Sequence, residues 1–98
     1  MTLRTIKIIN IEPALLDYDH AGRIVEVIRQ SGSQGSYCLD CRSVTQVTTA
    51  ALAHLIALRS QLRDRGSELF LHGLHGQARS IYEVHKMHHL LPQIELAG

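Results

Sequence analysis

The chain has 98 residues, with ten Lys and Arg against nine Asp and Glu and a formal net charge of +1. Hydrophobic residues make up 45% of it and charged residues 19%, a globular balance that argues against disorder. It carries no block of like charge for nucleic acid or an anionic membrane surface, and one Phe, three Tyr and no Trp leave little to stack on bases. One domain spanning 1–98 is expected, large enough to bury a core without a disulfide or a structural metal. No apolar run reaches transmembrane length, and the N-terminal "MTLRTIKIIN" has no charged leader ahead of a long apolar core. The expectation is a cytoplasmic protein without direct membrane insertion.

In chain order, "LRTIKIINI" (Leu3 to Ile11) interleaves Ile with polar residues and reads as a strand, stopped by Pro13. "LDYDHAG" is turn-like, and Asp17 or Asp19 is placed to cap a helix in which Ile24, Val27 and Ile28 recur at helical spacing. "SGSQGS" (Ser31 to Ser36) is small, polar and glycine-punctuated, hence a loop. "YCLDC" follows, apolar except for Asp40, as expected of a strand covered on both faces. Its Cys38 and Cys41 have C-x-x-C spacing. A redox pair needs a helix N-terminus to lower the thiol pKa, and an offset of three within a strand sends the two side chains to opposite faces. Reduced, buried structural thiols are expected.

Val44 and Val47 carry the apolar trace into the bend "VTQVTTAAL" (Val44 to Leu52). A helix begins near Thr49, with Leu52, Leu55, Ile56 and Leu62 as its stripe. Arg63 and Arg65 suit the negative end, and Gly66 suits the left-handed residue that closes it. "ELFLHG" (Glu68 to Gly73) is a short strand with Leu69 and Leu71 on one face. "QARSIYEVHKMHHLL" is read as a last helix, with Ala78, Ile81, Tyr82 and His85 on one side and Pro92 at its end. "QIEL" is a candidate edge strand or a tail. Strands alternating with helices imply an α/β fold with a mostly parallel sheet.

The chemistry-bearing features are few. The bend with Thr48 and Thr49 opens a helix, whose free N–H groups and dipole favour a hydroxyl, a phosphate or a carboxylate; the simpler role is N-capping. No P-loop, nucleophile elbow or H-E-x-x-H motif is present. His85, His88 and His89 fall at i, i+3 and i+4 and define a metal-binding alternative. No catalytic set, resident metal or cofactor is expected.

The order of these elements resembles the STAS domain of anti-sigma factor antagonists over about Ile6 to Pro92. Ala14-Leu15-Leu16-Asp17 is similar to the family's G-x-L-D, with Ala for Gly. Leu39-Asp40-Cys41-Arg42-Ser43-Val44 is similar to its strand end and following valine. Thr48-Thr49-Ala50-Ala51-Leu52 falls on its D-S-S-G-L or D-T-G-G-L bend. Gly66 to Leu71 and Gly73-Leu74 match the stretch after the long helix, and Leu90-Leu91 the close of the last one. The resemblance implies a STAS-type single sheet of about four strands with helices packed against it. It also implies a non-catalytic protein–protein interaction module.

By the same resemblance, the module docks on an anti-sigma factor with serine kinase activity through Asp17, Thr48, Thr49, Ala50, Ala51 and Leu52. The family's phosphoserine position is Ala50 here and its aspartate is Thr48. The implied switch is therefore either moved to Thr49, the candidate phosphoacceptor, or lost, with Thr48 and Thr49 acting as caps. A second branch, the small STAS subunit of phospholipid-trafficking ABC transporters, has D-T-G-G-L-A-x-L at the bend. Thr49 falls on its threonine and Leu52-Ala53-His54-Leu55 is similar to its L-A-x-L, implying docking on the transporter's ATPase.

Overall fold

A computed structural model of the chain describes residues 6–31 and 35–95. Strand β1 (Ile6–Asn10) leads through a two-residue strand β2 (Leu15–Leu16) to helix α1 (Tyr18–Ser31). Then come β3 (Ser36–Asp40), a two-residue β4 (Gln46–Val47), α2 (Thr49–Asp64), β5 (Leu69–His72), α3 (Gly76–Val84) and a 3₁₀ turn at Met87–His89. Residues 3–5 of the expected first strand, 32–34 of the expected loop and Leu96 of "QIEL" lie outside the described residues.

The fold is mixed α/β, as the alternation implies. Its strands are divided between two ladders: a parallel sheet in the order β1-β3-β5 and a separate parallel pair, β2-β4. "QIEL" contributes a single parallel bridge, Gln93 to Leu71. The register aligns Ile9, Leu39 and Leu71 across the main sheet. That row packs into one core with Ala21, Ile24, Val25 and Ile28 of α1, Leu52, Leu55, Leu58 and Leu62 of α2, and Ala78 and Tyr82 of α3. The alternate row, Ile8, Cys38 and Phe70, faces the other way. Cys38 is buried but outside this core, and Ile8 is 55% exposed. Cys41 belongs to the core, so the two thiols do take opposite faces, and both are free. Burial pushes the Cys38 thiol up to about 11 and the Cys41 thiol up to about 12, which removes the thiolate that redox chemistry needs.

Three local expectations are corrected. Val27 is 58% exposed, and Val25 takes the core position instead. In α2, Leu58 lies in the core while Ile56 only flanks it. The last helix is shorter than its apolar spacing suggested. It ends at Val84, His85 is its exposed C-cap, and Lys86 has a left-handed backbone (φ 52) before the 3₁₀ turn. The reversal lets Met87 and Leu91 return to the core and lets the Tyr82 hydroxyl donate to the Leu91 carbonyl, contacts that a continued helix would not make. Gly66 closes α2 with φ +79, as its position suggested.

Candidate functional site: the bend ahead of α2

The bend is built on β4. Gln46 N and Thr45 N donate to Ala14 O, and Thr48 N donates to Leu16 O at 3.1 Å. These bonds bring the bend beside Asp17, the residue after Leu16. Thr48 is extended (φ −93, ψ 152), and its Oγ1 accepts from Ala51 N at 3.1 Å. That is an N-cap, satisfying one of the helix's free donors. Asp17 does the same for α1. Its Oδ1 accepts from His20 N at 3.0 Å and contacts His20 Nδ1 at 2.8 Å. The backbone bond from His20 holds its carboxyl below the ordinary value.

The six candidate docking residues divide by burial. Ala51 and Leu52 are in the core, at 0% and 1% exposed, so they fix the turn from inside and present no surface. Thr49 and Ala50 are exposed, and Thr48 and Asp17 are partly so. The first turn of α2 holds no acidic residue. Ala53 and Ala57 extend the exposed, uncharged strip one and two turns further. The first arginine of α2 is Arg59, beyond this strip.

Two contributors were not singled out from the sequence. Tyr18 is 57% exposed and lies flat on His54 of α2, with ring centroids 4.7 Å apart and planes 20° from parallel. His54 Nδ1 is enclosed without a hydrogen-bond partner. A Cβ on Gly22 would sit 3.5 Å from His54 Cε1, in ordinary van der Waals contact, so this turn of α1 passes directly over the ring. The L-A-x-L pattern leaves the third residue open, so nothing in it signals that His54 is held between helices.

The histidines do not form the arrangement expected of a metal site. With α3 ending at Val84, His85, His88 and His89 no longer share one helical face. His88 sits edge-on to Tyr82, His75 Nε2 donates to Arg42 O at 2.8 Å, and His72 Nδ1 donates to Ile94 O at 3.0 Å. Among the described residues no three His, Cys, Asp or Glu side chains converge.

The strand pair β2–β4 thus delivers a capped helix start onto an open surface at Thr49 and Ala50. A family model described as "Mlab, STAS domain" matches residues 15–92, and the chain belongs to that STAS family. Two solved structures share the fold. One is the murine Solute Carrier 26 family member A9 anion transporter in its inward-facing state, with TM-score 0.71 and 20% identity. The other is a sulfate transporter family protein from Wolinella succinogenes, with TM-score 0.71 and 14% identity. The match covers 91% of this chain but 15% of the murine transporter, and 95% of this chain and 83% of the Wolinella protein. No curated protein matches the sequence significantly. No described helix is long and apolar enough to cross a membrane.

Proposed function

We propose that this chain is a non-catalytic docking module that binds the ATPase subunit of an ABC transporter, on the cytoplasmic side, through the start of α2. The observation that carries the reading is the exposed, capped and uncharged turn Thr49–Ala50, continued by Ala53 and Ala57. Small neutral side chains let a partner's backbone or a helix approach closely, and the rigid cap limits the ordering entropy that binding costs. Support for a transporter partner comes from the threonine at position 49, which the transporter-subunit branch also has, and from the two structural neighbours, both transporter proteins by name.

The test is binding of the purified chain to the ATPase of a phospholipid-trafficking ABC transporter from the same genome. Ala50→Arg places a bulky charge on the strip and should weaken binding at least ~10-fold, as expected for a steric and charge clash at an interface centre. The midpoint of unfolding should stay put. Wild-type protein that shows no binding, or a variant that binds equally well, would defeat the reading.

The anti-sigma antagonist role is kept as a second reading because one observation favours it: the Thr49 hydroxyl stands exposed at the helix start, where a phosphate would gain from the dipole. Incubation with a cognate anti-sigma kinase would then label the wild type and not Thr49→Ala. Equal labelling of both, or none, removes Thr49 as phosphoacceptor.

A further inference from the structure

Among the described residues, strand β4 has a strand partner on one side only. Its Gln46 and the following Thr48 direct their N–H groups to β2, where Ala14 O and Leu16 O accept them. In a strand the intervening residue points its N–H the opposite way, and among the described residues no strand lies there. Val47 N is met instead by a side chain from α3: Gln77 Oε1 accepts it at 2.9 Å, across 30 residues of sequence. The Gln77 amide oxygen takes the place of a neighbouring strand's carbonyl, one residue before the Thr48 cap.

Gln77 is one of several ties between the first turn of α3 and the approach to the bend. Ala78 N donates to Thr45 O at 3.2 Å. His75 Nε2 donates to Arg42 O at 2.8 Å. A Cβ on Gly76, whose φ is +59, would lie 3.5 Å from Thr45 O. These three bonds are made to backbone atoms of residues 42–47, so α3 holds the path of the chain and not merely one side chain.

We propose that Gln77 is a positioning residue of the docking site: its side-chain carbonyl fixes Val47 and thereby the angle at which Thr48, Thr49 and Ala50 are presented. The proposal rests on the docking role assigned above to the start of α2. It makes α3 the second element of that site. A partner contact or modification at α3's first turn would reach the bend through Gln77, with no contact to Thr49 needed.

Amide hydrogen exchange on the free protein tests this without a partner. Gln77→Ala removes the acceptor and should speed exchange at Val47 and Thr48 at least ~10-fold, while amides of β3 and β5 keep their protection. Gln77→Glu keeps an acceptor oxygen at the same reach, and its charge suits a helix start, so protection at Val47 should return. Unchanged exchange in Gln77→Ala, equal loss across the whole sheet, or failure of Gln77→Glu to restore protection would each overturn the assignment. Failure of the docking reading shows separately, as absent ATPase binding by the wild type with these exchange rates intact.

Discussion

Thr48 and Thr49 are adjacent, chemically identical and structurally distinct, because the helix start assigns them different positions. Thr48 is the N-cap, with its Oγ1 held by Ala51 N. Thr49 is the first helical residue, exposed, with no cap bond to make. Thr48→Ala should therefore cost about 1 kcal/mol of stability, the usual loss for an N-cap threonine. Thr49→Ala should stay within about 0.5 kcal/mol, as surface changes do, helped by alanine's better helix propensity. Urea unfolding of the two variants measures both. Equal losses would mean that the cap is shared or placed elsewhere. A change at Thr49 that leaves stability alone is also the cleaner probe of docking, because its effect on binding cannot be assigned to unfolding.

At the scale of elements, two glycines, one closing α2 and one following β5, show which turns are held by shape and which by contact. Gly66 and Gly73 have similar backbones, with φ +79 and +78. A Cβ on Gly66 meets nothing within 4 Å, whereas one on Gly73 would lie 2.4 Å from Arg42 Cγ and 3.3 Å from Arg42 N. Gly66→Ala should cost about 1 kcal/mol for the left-handed backbone alone. Gly73→Ala should cost roughly 2–3 kcal/mol, since it adds overpacking to the same strain. To relieve the clash Arg42 must move, and Arg42 Nη2 holds the buried Asp40 Oδ2 at 2.7 Å. Thermal midpoints of the two variants would rank them; equal shifts would show that Arg42 swings aside freely.

The same elements show what sequence could and could not reveal. The β-helix alternation, the cap at Thr48 and the closure at Gly66 all rest on local patterns, and local patterns were enough. The end of α3 was not legible. "EVHKMHH" keeps helical spacing, and only the long-range return of Met87 and Leu91 to the core explains why Lys86 adopts a left-handed backbone. The Gln77–Val47 bond was hidden for a similar reason: it spans 30 residues, and an exposed glutamine in a helix leaves no periodic signal. Burial of Leu52 could be read from the stripe, whereas Ala51 lies outside that stripe and was expected on the docking surface. Which side of the turn stays exposed depends on how α2 packs on the core, which no local pattern records.

For the molecule as a whole, three carboxylates set the response to acid. Side-chain bonds from Arg42 hold Asp40, 5% exposed, below its ordinary value of 3.8. Burial works to raise Glu68, but bonds from Arg59 and Leu69 N outweigh it and leave Glu68 below 4.5. Asp17 is lowered by His20 N. In each case the unfolded chain holds the proton more tightly than the native one. Between the two pKa values unfolding takes up protons, so falling pH favours it. The stabilisation is complete above the ordinary carboxylate values and is lost as pH drops through the depressed native ones. Stability should thus be flat with respect to these groups near pH 6 and decline steadily below about pH 4.5, the upper edge of that window. Urea midpoints recorded from pH 3 to pH 6 would trace the decline. Glu68→Gln sharpens the test. It removes one titrating group, so the slope below pH 4.5 should shrink. It also weakens the partner of Arg59, whose Nη1 reaches the carbonyls of His89 and Leu90 at 2.9 and 3.0 Å. At pH 6 the variant should therefore be less stable than the wild type, and near pH 3 the difference should narrow. A constant difference at every pH would show that the ionised Glu68 contributes nothing beyond its shape.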